Sequence, residues 1–483
     1  GAGWSEGTID VWSGREARDL AECIEWAAAQ PWCTGKVGLS GISYYAMNQW
    51  HVAGLHPPHL TAMIPWEGAA DYYRDVTHHG GILCDFVANW YSRQVTTVQY
   101  GLGSRSAVNP NTGQHVAGPP PGEPDFDEDT LRANRTDAGE EVRSRPLDGP
   151  WYAERSADWS EVTVPFLSAA NWGGQGLHPR GNFEAFTQAA SDSKWLEVHG
   201  AEHWTHYYTS YGLDLQRRFF DHFLRGADNG WERTPPVRLN IRHPGERFVT
   251  RDEREWPLAR TQWTRAYLDA SSESLSLSGE SSPAGAASVS YDALGDGVEF
   301  ALPAFGAPTE ITGPLAARIY VSSSTDDADL FLTLRVLAPD GEEVTFAGAL
   351  DPNTPVAQGW LRASHRRLDP GKSLPYRPYH PHSSQEFLAP GEVVALDVEI
   401  WPTSIVVPAG YRVVLSVRGK DYEYRGKLSP FAERFYYANH GVGPFTHRTD
   451  RPASRYGGTV TIHTGGEHPS YLLLPVIPSE ESS

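Results

Sequence analysis

The chain has 483 residues, 40% of them hydrophobic, which is more than one ordinary core holds and predicts two or three domains. Its formal net charge of -20 argues against nucleic acid or an anionic membrane as a partner, because phosphate binding requires a basic face. Cys23, Cys33 and Cys84 suggest neither a disulfide framework nor a zinc site, so a reducing cytoplasm is expected, and no apolar run reaches the roughly 18 to 20 residues of a membrane span.

The opening GAGWSEGTID does not read as a signal peptide and has no initiator Met, so a start further upstream is expected. Residues 14–30 place Ala17, Leu20, Ile24 and Ala27 at helical spacing and predict an amphipathic helix. After a turn at 31–35, the run KVGLS (36–40) suits a buried parallel strand; a helix follows over 44–54 and a strand over 60–65. Strands alternating with helices predict a parallel sheet covered on both faces, an α/β fold. From about 71 to 160 the regularity breaks down, with a Pro- and Gly-rich loop at 109–127 among short helices, as expected of a cap or lid inserted after a sheet strand. The α/β pattern returns with a strand over 164–169, a helix near 181–190, a strand over 194–199 and a helix over 213–224. Beyond about Thr234 short β-type runs such as AARIYVSSS, LFLTLRVLAPDGEEV and YRVVLSVRG predict an all-β sandwich over 234–477.

Chemistry concentrates in KVGLSGISYYAMNQW. A serine between an apolar strand and a helix, with Gly41 two residues before it, suits a strained strand-turn-helix elbow that raises the Ser43 hydroxyl above the sheet. The backbone N–H of Tyr44 would then be an oxyanion-hole donor. The pattern G-x-S-x-G is met only in part, since Tyr45 stands at the last glycine's place and Ala46 follows.

The longer run WCTGKVGLSGISYYAMNQW resembles the elbow of the cocaine esterase and Xaa-Pro dipeptidyl-peptidase (S15-type) hydrolases, W-x-x-G-x-V-G-x-x-G-x-S-Y-x-G with Gln-Trp soon after. Trp32, Gly35, Val37, Gly38, Gly41, Ser43, Tyr44, Gln49 and Trp50 carry the match, and Ala46 replaces the last glycine. The resemblance extends over most of the chain and implies an α/β-hydrolase sheet with a helical cap and a C-terminal jelly roll, with Ser43 as nucleophile. It implies that sheet strands, and the tyrosine that supplies the second oxyanion donor, precede Gly1 or come from a separate polypeptide. It also implies His203, in VHGAEHWTH, as the general base, with His206 as the fallback.

The acid departs from the family pattern. Relatives carry an Asp in a G-W-x-D motif after the strand at 164–169, whereas AANWGGQG puts Gly174 in its place. Either the site has lost its acid or a carboxylate from another strand end serves, since a triad is defined by geometry and not by position. Glu67, just past the strand that follows the nucleophile strand, is the favoured substitute, ahead of Asp71 and Glu202. Trp66 and Trp172 are candidate substrate-binding residues, with Trp90 and Trp151 beside them. The histidine pairs lack metallohydrolase spacing, so no metal and no cofactor is implied. The expected function is hydrolysis of carboxylic esters, or of amides, through an acyl-enzyme on Ser43, with a small molecule as substrate and a homo-oligomer left open. The rivals are an aminopeptidase or amino acid ester acylase of the same superfamily, which needs an acidic subsite for an α-amino group, and a degenerate, non-catalytic hydrolase carrying a binding jelly roll.

Overall fold

The computed structural model describes residues 1–120, 122–277, 282–349, 351–426, 445 and 450–479. Helix α1 (Gly14–Ala28) starts at Ser13, whose side chain caps the Glu16 N–H, and buries Ala17 and Ile24 while Leu20 and Ala27 are half-buried. Strand β1 (Val37–Ile42) leads into α2 (Tyr44–Ala53), and β2 (Leu60–Trp66) follows in parallel register, with Ile42 opposite Trp66.

Between β2 and the next sheet strand lies the helical cap. It contains a π-helical turn (Tyr72–Thr77), the hairpin β3 (His78–His79) and β4 (Ile82–Leu83), and short helices including Glu128–Ala133 and Ala138–Ser144. Its core joins Tyr72, Tyr73, Val76, Val87, Tyr91 and Tyr152 to Ile9, Val11 and Trp12 from the start of the chain.

Strands β5 (Phe166–Asn171), β6 (Lys194–His199) and β7 (Val237–His243) continue the parallel sheet, and β8 (Arg247–Glu253) closes it antiparallel to β7, in the order β1-β2-β5-β6-β7-β8. β5 is buried along its whole length, which fits its apolar run and the helices on both faces. The first two strands beyond Thr234 therefore extend the α/β sheet instead of opening the sandwich. Val237, Leu239 and Ile241 pack on Val198, Phe183 and Trp172, and Val406 of the sandwich packs against this core.

The C-terminal domain is an all-β sandwich starting at Gln262–Asp269. Its longest pair joins Thr309–Ser323 to Val394–Val407 antiparallel, with Ile311 opposite Ile405 and Ile319 opposite Leu396. Strand Tyr471–Ile477 pairs on one side with Gln262–Asp269 and on the other with Thr309–Ser323, so the hydrogen-bonded path returns on itself and few edges stay open. The inward residues form one continuous aliphatic core. Among the described residues no helix is long and apolar enough to cross a membrane.

Candidate active site

Ser43 stands between β1 and α2 with φ 63° and ψ -117°, a conformation that side-chain-bearing residues rarely adopt. Its own N–H is held by the Trp66 carbonyl at 3.0 Å, and the Ser43 carbonyl accepts from Ala46 and Met47 N–H. The sequence permits this elbow because Gly41 lacks a side chain: a Cβ there would lie 2.4 Å from Tyr45 Cβ. The Ala46 methyl, at the departure from the family pattern, is fully buried and faces Gly68. As the first residue of α2, Tyr44 presents a backbone N–H with no acceptor inside the helix. Its phenol donates to the Glu16 carboxylate at 2.6 and 2.8 Å, and Glu16 also accepts from the Trp12 N–H at 2.8 Å, so α1 braces the elbow.

Glu67 follows β2 directly, at φ 50° and fully buried. Its Oε2 lies 2.7 Å from His203 Nδ1, and its Oε1 lies 3.1 Å from His199 Nε2 and 3.3 Å from the Asn171 amide that donates to it. The other ring nitrogen of His199 is 2.7 Å from Glu197 Oε2. An imidazole with a carboxylate at each nitrogen must donate from both, so His199 is an imidazolium. Burial disfavours that charge, but Glu197 and Glu67 outweigh it and bring the His199 pKa to about 9. Burial likewise pushes the Glu67 carboxyl up, and the charges and hydrogen bonds of His203 and His199 overcome it, holding Glu67 at about 2.

The hydrogen bond to Ser43 Oγ, expected from His203, comes from His178 instead. His178 Nε2 lies 3.2 Å from Ser43 Oγ, and the two imidazoles stack in parallel with centroids 5.1 Å apart. His178 ends the glycine-rich loop after β5, just before the helix Pro179–Gln188, and thus sits on the loop where relatives keep their acid. The family pattern points to a carboxylate in that loop, and nothing in its sequence marks the histidine four residues beyond Gly174. Burial, and then the neighbouring His203, lower its pKa to about 3.

The remaining candidates lie elsewhere. His206 stacks on His199, 3.7 Å from Glu197, away from the serine. Asp71 pairs with Arg74, and Glu202 accepts from the Thr205 hydroxyl. Trp66 and Trp172 are corrected from substrate-binding to packing residues. Trp66 is fully buried against His199 and Tyr207, and Trp172 packs on Phe183 and Trp256 with its indole N–H donating to the Asn240 carbonyl. Both stand at strand ends whose side chains alternate into the helix layers, so neither reaches the cavity. Trp151 packs against Tyr72 and under the Arg155 guanidinium, while Trp90 does line the cavity. That open cavity, about 1430 Å³, is walled by Ser43, Tyr45, Trp90, His178, His203 and Tyr208 among others. The sandwich domain reaches it through Ala349 and Asp351, and the Ala349 carbonyl holds the His203 N–H at 3.1 Å.

Comparison with known proteins identifies the family. Residues 1–208 match the family model of the X-Pro dipeptidyl-peptidase (S15 family), and residues 229–473 match that of the X-Pro dipeptidyl-peptidase C-terminal non-catalytic domain. The chain is 24% identical to the cocaine esterase of Rhodococcus sp. over 95% of its own length and 84% of that protein's. A CocE/NonD family hydrolase from Staphylococcus aureus superposes with a TM-score of 0.83 at 33% identity, covering 98% of this chain and 78% of that one. An aminopeptidase from a marine sediment archaeon, at 15% identity and TM-score 0.65 over 96% of this chain and 80% of its own, shares the fold. The chain therefore belongs to the X-Pro dipeptidyl-peptidase (S15) family of ester and peptide hydrolases, of the cocaine esterase and CocE/NonD type.

Proposed function

We propose that this chain is a serine hydrolase that cleaves carboxylic esters through an acyl-enzyme on Ser43, with His203 as base and Glu67 as the acid that orients it. The observation that carries the reading is the 2.7 Å contact of Glu67 Oε2 with His203 Nδ1 on the wall of the cavity that holds the strained Ser43. A carboxylate at Nδ1 fixes the proton there and leaves the Nε2 lone pair free for the serine. Catalytic hydrogen bonds are commonly loose without substrate and tighten in the Michaelis complex.

In acylation, Ser43 Oγ attacks the ester carbonyl carbon as its proton passes to His203 Nε2, and the carbonyl oxygen turns toward the Tyr44 N–H. The tetrahedral intermediate collapses when His203 returns the proton to the departing alcohol. Water, deprotonated by His203, then attacks the acyl-enzyme, and Ser43 leaves with its proton restored. A small-molecule substrate fits the cavity, and the free thiols at Cys23, Cys33 and Cys84 suit a reducing cytoplasm.

A second reading, an amino acid ester or amide as substrate, draws on the acidic residues Glu6, Asp10, Glu16 and Asp19 along one side of the cavity. Against it, Glu16 is committed to Tyr44 and Asp10 to Arg155. A fluorophosphonate probe tests the mechanism: wild type should be labelled, and Ser43→Ala should lose both label and ester turnover while keeping its fold. A wild type that is not labelled, with turnover retained in Ser43→Ala, refutes the serine mechanism. Hydrolysis rates across acyl esters and amino acid amides decide between the substrate classes.

A further inference from the structure

His178 is a buried imidazole in direct contact with the reacting oxygen, and the triad leaves it without a task. Its protonation is set by its neighbours. The Ala69 backbone N–H points at Nδ1 from 3.3 Å, and a backbone N–H can only donate, so Nδ1 carries the lone pair and the ring proton resides on Nε2. That Nε2–H is the group 3.2 Å from Ser43 Oγ. In this tautomer His178 cannot accept the serine proton; it gives a hydrogen bond to the oxygen instead.

We propose that His178 is a second catalytic histidine, a neutral hydrogen-bond donor that stabilises negative charge on Ser43 Oγ during attack and again when that oxygen departs. The inference rests on the serine-hydrolase reading and deepens it.

Two features make the donor effective. The ring is 1% exposed, so water does not compete for Oγ from that side. It also stacks within 6° of parallel on His203, so an imidazolium formed at His203 during attack disfavours a second proton on His178 and keeps it neutral. Oγ would thus carry a division of labour, with its proton passing to His203 and its lone pair held by His178. The hydroxyl oxygen has one proton to give and lone pairs to receive, so both contacts are compatible. As the proton leaves, Oγ gains charge and the bond from Nε2–H strengthens, as bonds to ionised acceptors do. In deacylation the same oxygen is the leaving group, so the donor acts on both halves of the cycle.

Two substitutions isolate the donor. His178→Asn keeps an acceptor near the Ala69 N–H but is too short to donate to Oγ, while His178→Gln reaches further and restores an N–H. On the full-length chain, the rates of fluorophosphonate labelling and of p-nitrophenyl ester turnover are measured against pH, with thermal melting as the folding control and His203→Ala alongside. We expect His178→Asn to slow both labelling and turnover by about 10²-fold, in the range found for one oxyanion donor. His178→Gln should recover part of that loss, and the acid limb of the profile should keep its midpoint in both variants, because the base is unchanged. Wild-type rates in a folded His178→Asn overturn the assignment while leaving Ser43 as nucleophile. So does an acid limb that disappears in the His178 variants and persists in His203→Ala, which would make His178 the base. If wild type is not labelled at all and Ser43→Ala retains turnover, the serine-hydrolase reading itself falls.

Discussion

Glu67 is held by three donors at a backbone angle that costs of order 1–3 kcal/mol for a residue with a side chain, and it is fully buried. Its carboxylate aligns His203 and would stabilise the imidazolium formed during attack. Glu67→Gln should therefore keep the fold but cut kcat by roughly 10³ to 10⁴, as acid-to-amide changes do in other triads, with burst kinetics as the check; near-wild-type turnover would remove Glu67 from the triad. The His199 imidazolium behind it predicts a pH-dependent stability. Its pKa is raised in the folded state to about 9, so its contribution is fully present below the unfolded value near 6.5 and is lost as pH rises through about 9. Melting temperature should fall between those pH values in wild type and fall less in Glu197→Gln, which removes one of the two carboxylates that hold the charge; equal slopes would show that His199 is not the group responsible.

At the scale of elements, the site depends on the meeting of two loops distant in sequence. The loop after β5 and the segment at 346–349 of the sandwich domain touch backbone to backbone, with the Ala349 N–H donating to the Gly173 carbonyl at 3.0 Å and the Ala349 carbonyl receiving the His203 N–H. Such an approach requires glycine on both sides: a Cβ on Gly348 would fall 2.6 Å from Gly173 O and 2.3 Å from Thr354 Cγ2. Gly348→Val should force the segment away from the His203 loop, lowering kcat by an order of magnitude or more while the sandwich core stays folded, as amide exchange in Thr309–Ser323 and Val394–Val407 would report. Unaltered kcat would mean that the sandwich does not position His203. The elements themselves were legible from local pattern, because the strands at 37–42, 60–66 and 194–199 are apolar runs bounded by turns and helices. The position of His178 was not, because it depends on the path of a glycine-rich loop that carries no periodicity.

For the molecule as a whole, buried charge joins the two domains. Arg180, from the helix after β5, donates to Asp75 in the cap at 3.0 Å and to Glu399 in the sandwich at 3.0 Å. Arg74 reaches across to the His380 and Pro381 carbonyls. Removing one partner of such a set leaves the others charged and out of water, so Arg180→Leu should destabilise the chain by about 3–5 kcal/mol in denaturant unfolding. An unchanged midpoint would show that the junction does not contribute to global stability. By itself the sequence determined the α/β sheet, the cap, the β-rich second domain and the serine at its elbow, because each follows from local periodicity, turn residues or a contiguous motif. It also put Glu67 ahead of Asp71 and Glu202 as the candidate acid, from chain order and strand position, while a site without an acid stayed open. The tertiary structure alone decided that β7 and β8 join the first sheet, that Trp66 and Trp172 are packing residues, and that His178 sits beside Ser43 and stacks on His203. Each of these depends on which distant backbone a side chain faces, and long-range packing, unlike helix or strand period, leaves no mark in the neighbouring residues.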